Sequence, residues 1–124
     1  MFEIDTLHLV IDGNGCNVDT LKDIEGIYKF LDDIPLRIGM TKMMQPYVIK
    51  WKDKASVSEG VTGFVTIAES HISVHTFPDN ARVYVDIFSC KHFDKEKVLE
   101  IFKEHFEPEK VEFKVVREHE GIIH

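Results

Sequence analysis

Gly60-Val61-Thr62-Gly63-Phe64-Val65-Thr66-Ile67-Ala68, the pair Glu69-Ser70, and His71-Ile72-Ser73-Val74-His75-Thr76-Phe77 together decide the fold. The first nine residues are β-branched and apolar, the composition of a strand. From His71 onward the pattern alternates, with Ile72 and Val74 opposite His71, Ser73 and His75. That period of two marks a half-buried strand. Pro78-Asp79-Asn80 is a turn signal, and Arg82 to Phe88 (RVYVDIF) reads as a further strand. Strands joined by connections this short run antiparallel, because parallel neighbours need a long crossover.

Working outward, Thr6 to Asp12 alternates with Leu7, Leu9 and Ile11 on one face, and Gly13-Asn14-Gly15 breaks it. Leu21, Ile24, Tyr28 and Leu31 then keep helical spacing behind cap-capable Asn17 and Asp19, and Pro35 is expected to stop that helix. A strand pair is expected over Leu36 to Met44 and Tyr47 to Trp51, followed by an exposed polar loop from Lys52 to Gly60. Asp94 is placed to cap a second helix whose Val98, Phe102, His105 and Phe106 share a face. Val111 to Val116 alternates as a closing strand, and the charged tail Arg117 to His124 is expected to fray. A strand, a helix, a run of strands, a helix and a final strand make an α+β fold. The expected architecture is a two-layer sandwich, an antiparallel sheet with two helices packed on one face.

The 124 residues suit one domain with one core, and no repeat or linker interrupts them. Hydrophobic residues at 44% and charged residues at 30% give a soluble balance. No apolar run reaches the roughly 20 residues needed to cross a bilayer. The opening Met1-Phe2-Glu3-Ile4-Asp5 is acidic, unlike a secretory signal, so the expectation is cytoplasmic. Net charge of −7 argues against nucleic acid and would draw a cationic small molecule. Cys16 and Cys90 are too few and too far apart for a disulfide framework or a zinc site, so no metal is expected.

Chemistry concentrates in Glu69 to Pro78, which brings a serine, two histidines and a carboxylate to the junction of two strands. Polar residues at strand edges ordinarily just face solvent, and composition alone favours that reading. Ser70, however, lies at a tight junction where backbone strain can be held. His75 follows it by five residues, an odd number, so a regular strand turns the two to opposite faces. Cooperation between them requires a turn or bulge. Cys90 ends the next strand, where a hairpin can return it beside Ser70, although spacing alone does not establish contact.

Ala68-Glu69-Ser70-His71-Ile72-Ser73-Val74-His75-Thr76-Phe77-Pro78, with Val85-Asp86-Ile87-Phe88-Ser89-Cys90, closely resembles the processing site and proton-donor strand of prokaryotic S-adenosylmethionine decarboxylases. His8-Leu9-Val10 and Gly15-Cys16 are similar to the start of that family, and the resemblance spans nearly the whole chain, weakest from Met40 to Ser58. It implies self-cleavage between Glu69 and Ser70 into a β chain (1–69) and an α chain (70–124). Ser70 would attack the Glu69 carbonyl, and β-elimination would leave a pyruvoyl group that forms a Schiff base with the substrate. His75 is implied as the acid/base residue for processing, since imidazole exchanges protons near neutral pH. Thr62 stands where relatives often carry an assisting serine. Cys90 is implied as the proton donor to the substrate, against its ordinary reading as a small buried hydrophobe.

His71, His8 and Cys16 need no function, and Met40, Met43 and Met44 read as core or interface fillers. Many relatives carry Trp-Pro-Glu where this chain has Phe77-Pro78-Asp79, and the loop before Thr62 is longer. Phe77, Asp79 and Trp51 are therefore the candidate substrate contacts, Trp51 being equally readable as a core residue. The resemblance implies an amino-acid-type substrate, S-adenosylmethionine first, with arginine or ornithine as the alternative and a non-processed, non-catalytic relative as another. It also implies a homodimer of αβ units, with sites near the interface, serving polyamine (spermidine) biosynthesis.

Overall fold

The computed structural model describes residues 5–119. Six strands form one antiparallel sheet: β1 (Thr6–Asn14), β2 (Tyr47–Trp51), β3 (Gly60–Ile67), β4 (Ser70–Phe77), β5 (Arg82–Ser89) and β6 (Lys110–His119). Their order across the sheet is β2-β3-β4-β5-β1-β6, so the first strand is inserted between the last two. Three helices accompany them, α1 (Val18–Lys22), α2 (Ile24–Arg37) and α3 (Lys95–Phe106). The expected α+β sandwich is the fold found, with one more helix than expected.

Alternation explains which face is covered. Leu7, Leu9 and Ile11 of β1, Val61, Val65 and Ile67 of β3, Ile72 and Val74 of β4, and Val83, Val85 and Ile87 of β5 are all buried. They meet Ile27, Leu31 and Ile34 of α2 and Val98, Phe102 and Phe106 of α3 in one core. Each helix thus buries an apolar stripe on the sheet, as a helical period of 3.6 residues requires. The opposite sheet face has no helix over it among the described residues. There Phe64, His71, His75 and Phe77 are exposed.

The extra helix arises at Asp23, whose extended backbone separates α1 from α2. Asn17 caps α1 by accepting from the Asp19 and Thr20 amides, and Asp94 caps α3 through the Lys97 amide. Pro35 does not stop α2, which runs on to Arg37. The stop is Gly39, at φ +78°. The Gly39 amide donates to Leu36 O and the Met40 amide to Pro35 O, a paired closure that needs a left-handed residue. This closure explains why Leu36 to Met44 is not a strand. Only Lys42 makes an isolated bridge, to Ile67, whereas Tyr47–Trp51 pairs with β3 as expected.

Met40 is buried, while Met43 and Met44 are exposed. The closing strand is longer than expected. Arg117 and His119 pair with His8 and Thr6 rather than fraying, and residues 120–124 lie outside the described residues, as do 1–4. No helix among the described residues is long and apolar enough to cross a membrane.

One buried hydroxyl ties helix to sheet. Thr76 lies on the core side of β4 and accepts from the Val61 amide at 2.8 Å while donating to the Leu21 carbonyl at 2.7 Å. Thr76→Val keeps the shape but leaves a buried N–H and a buried C=O unpaired. A loss of about 2–4 kcal/mol is expected, read as a lower urea midpoint at unchanged slope.

Candidate active site

A two-residue link, Ala68-Glu69, joins β3 to β4, with Ile67 opposite Ser70. Glu69 takes φ +59°, the left-handed region. A side chain there strains the backbone, which is why glycine or asparagine usually occupies such a corner. The strain falls on the residue that contributes the carbonyl of the Glu69–Ser70 bond. That carbonyl accepts the Cys90 amide at 3.2 Å. Cys90 follows β5 directly and is partly exposed, so the hairpin return expected from its spacing takes place.

Ser70 faces the helix side of the sheet. Its hydroxyl donates to Ser89 Oγ at 2.9 Å, with a weak second contact to Ala68 O at 3.4 Å. Ser89 is opposite Ser70 in the β4–β5 register and fully buried. The sequence reading assigned it no role. The signal was present, since Ser89 continues the core-facing series Val83, Val85, Ile87 with a hydroxyl where an apolar group is expected. The Cys90 amide left no sequence signal, because every residue but proline has one.

β4 holds regular register against both neighbours from Ser70 to Phe77, with no bulge. His75 therefore stands on the open face, five residues and roughly 16 Å of strand from Ser70. The structure does not bring these two together within the chain. It pairs His75 instead with Thr62 on β3, Nδ1 to Oγ1 at 3.3 Å.

Thr62 and His75 line an open groove of about 350 Å³ with Ile49, Trp51, Gly60, Thr76 and Phe77. Trp51 is more than half exposed at the end of the edge strand β2, which excludes its reading as a core residue. Asp79 borders an adjoining groove, but its two oxygens accept the Val57 and Ser58 amides at 2.7 and 2.9 Å. These bonds hold its carboxyl below the usual range and strap the long loop against the turn after β4.

The residues for which the sequence required no function make contacts of their own. Burial pushes the Cys16 thiol up to about 11, so it stays protonated and inert. His8 pairs with Asp86 at 2.9 Å, and both His8 and His71 pack on the Phe88 ring. Among the described residues no three side chains are grouped to hold a metal.

The family model for S-adenosylmethionine decarboxylase matches residues 7–119. An S-adenosylmethionine decarboxylase proenzyme from Clostridium botulinum (strain Langeland) is 37% identical over 110 residues, covering 88% of this chain and 90% of that protein. The proenzyme of the same name from Archaeoglobus fulgidus is 33% identical over 103 residues, covering 82% and 87%. Among solved structures, the adenosylmethionine decarboxylase of Aquifex aeolicus superposes with a TM-score of 0.75 at 23% identity, covering 91% of this chain and 89% of that one. That last likeness concerns the fold, whereas the sequence matches run through both clusters of candidate residues. The chain belongs to the S-adenosylmethionine decarboxylase family and is an enzyme of the decarboxylase class.

Proposed function

We propose that this chain is a self-cleaving precursor that decarboxylates S-adenosylmethionine, supplying the aminopropyl donor for polyamine (spermidine) biosynthesis. The observation that carries this reading is the Glu69 corner, a strained left-handed residue whose carbonyl is already held by the Cys90 amide. An amide donor on that oxygen stabilises the negative charge that develops when the carbonyl carbon is attacked. In the first step the bond from Ser70 Oγ to the Glu69 carbon forms and the Glu69–Ser70 peptide bond breaks. The proton lost by the hydroxyl ends on the Ser70 nitrogen, and an ester results. Removal of the Ser70 α-proton then breaks the Cβ–Oγ bond and frees the Glu69 carboxylate. Water converts the remaining amine-bearing end to a pyruvoyl group and ammonia. The products are a β chain of residues 1–69 and an α chain of residues 70–124.

The pyruvoyl carbonyl supplies a sink for the electron pair released as CO2 leaves. Cys90, beside the new N-terminus, holds the proton that replaces CO2 on the substrate carbon. No metal enters this scheme.

Among the described residues no basic side chain hydrogen-bonds the Ser70 hydroxyl, and His75 lies on the other face. The open face carries an aromatic band, with Tyr47 against Phe64 and Phe77 against Tyr84, and two such faces can pack as stacked sheets. A homodimer formed this way brings the Thr62–His75 pair of the second copy toward the Glu69–Ser70 corner, which lies at the sheet's rim. His75 then acts as the processing acid/base residue across the interface, with Thr62 orienting its ring.

The aromatic groove supports the substrate assignment. Trp51 and Phe77 offer flat faces for an adenine and π density for a sulfonium, and no carboxylate is among its lining residues. Arginine or ornithine needs a carboxylate for its side-chain cation. The Asp79 oxygens, engaged by two amides, are poorly available for that. Asp53 beside Asp79 in the adjoining groove is the one observation that favours those amino acids.

Intact mass under denaturing conditions should show two fragments for the wild-type chain and one for Ser70→Ala. A wild-type chain that stays whole would place it with the non-catalytic relatives. Cys90→Ala should still cleave but turn over at least about 100-fold slower, and CO2 should come from carboxyl-labelled S-adenosylmethionine rather than arginine or ornithine. Ser70→Ala and His75→Ala should each remain whole when expressed alone. Co-expressed, the His75→Ala chain should be cut, because it keeps Ser70 and borrows the imidazole. Failure of that rescue would put His75 back in its own chain's site.

A further inference from the structure

Ser89 holds all the hydrogen bonds that a serine hydroxyl can make. It accepts the Ser70 hydroxyl at 2.9 Å and the Lys91 amide at 2.9 Å, and donates to the Lys91 carbonyl at 2.5 Å. One donor and two acceptor sites are all that the group has. The side chain is 0% exposed, so water does not compete for these bonds. The Lys91 main chain thus clamps the Ser89 rotamer from both sides, and Ser89 in turn holds the Ser70 hydroxyl.

We infer that Ser89 is a positioning residue for self-cleavage, fixing the Ser70 hydroxyl in the rotamer from which it attacks the Glu69 carbonyl. This rests on the self-cleaving reading above. The argument comes from the turn that closes β5. Its residues 89 and 90 each reach one of the two reacting groups. The Cys90 amide holds the oxygen of the carbonyl under attack, and Ser89 Oγ holds the attacking hydroxyl. A serine free to rotate would spend most of its time in other staggered wells, and holding reacting groups in one geometry removes that entropy from the barrier.

Ser89 is not the base. Taking the Ser70 proton would require it to pass its own proton to an amide carbonyl, which is far too weakly basic. Its oxygen also has no unfilled acceptor site. Without Ser89, the Ser70 hydroxyl keeps only the 3.4 Å contact to Ala68 O. The step affected is the acyl shift alone, in which the Ser70 Oγ–Glu69 carbon bond replaces the Glu69–Ser70 peptide bond and the hydroxyl proton ends on nitrogen. The later elimination does not use this contact.

The test follows fragment formation over time for purified wild-type, Ser89→Ala and Ser89→Thr precursors, with and without hydroxylamine, which cuts esters but not peptides. Ser89→Ala should cleave about tenfold slower, because the attacking hydroxyl is no longer held in one staggered well before it gives up its proton. Hydroxylamine should not restore its rate, because no ester accumulates. Ser89→Thr, which keeps the hydroxyl, should stay within about threefold of wild type by the same reasoning. Ser89→Ala cleaving at the wild-type rate would overturn the inference. So would a slow Ser89→Thr, or rescue of Ser89→Ala by hydroxylamine, which would place the block at elimination. All three results leave the proposed function standing. A wild-type precursor that never cleaves would remove that function, and this inference with it.

Discussion

The structure turns on the two-residue link between β3 and β4. A link of Ala68 and Glu69 alone fixes Ile67 opposite Ser70, and through that pair every other partner along the two strands. A slip of one residue would reverse every side chain between core and open face. Holding that link with Glu69 left-handed costs on the order of 1–2 kcal/mol for a residue with a Cβ. The flanking strands supply it, since Ile72 and Val74 are fully buried between two paired neighbours. A peptide bond that chemistry would otherwise leave inert is thus presented at a strained corner, with its carbonyl already hydrogen-bonded.

The same register divides the candidate residues. Even positions of β4 face the helices and odd positions face the open side, so Ser70 meets Ser89 whereas His75 meets Thr62. Nothing short of a bulge could merge the two groups, and β4 has none. The chain therefore carries two half-sites of complementary chemistry. One holds the bond proposed to break and, among the described residues, no base hydrogen-bonded to the Ser70 hydroxyl. The other holds an imidazole beside an aromatic groove. Under the proposed self-cleavage, that division is the physical reason to propose that the uncovered sheet face is an interface between copies.

Much of this was legible in the alternation alone. The strands around Ser70, the cap at Asp94 and the opposition of Ser70 and His75 all follow from a period of two or from cap chemistry. What escaped was in part a local helix stop given to the wrong residue and in part contacts distant in sequence. Pro35 looked like a terminator, yet it is a buried residue of the helix and Gly39 supplies the left-handed closure. Leu36 to Met44 looked apolar enough for a strand, but the same closure turns the chain there into a loop. The tail from Arg117 looked solvated, yet β1 offers it partners as far as His119. Trp51 could be weighed as core or surface only once β2 was known to be an edge strand. The Cys90 amide was invisible in principle, since no side chain announces it.

Strand order also bears on what cleavage would leave behind. Cutting between Glu69 and Ser70 assigns β1, β2 and β3 to one fragment and β4, β5 and β6 to the other. In the sheet these are not two blocks, because β1 of the first fragment lies between β5 and β6 of the second. The fragments share three strand interfaces, β3 with β4, β5 with β1, and β1 with β6. They also share the core, in which α2 belongs to one fragment and α3 to the other. Separation would expose all three ladders and most of the apolar interior at once, so the cut chain is held together by the same contacts that fold the whole one. Relief of the Glu69 corner then comes without loss of the fold, and the new N-terminus at Ser70 stays beside Cys90 because β4 remains paired with β5. Interleaving the halves would let the proposed backbone break serve as chemistry rather than as damage.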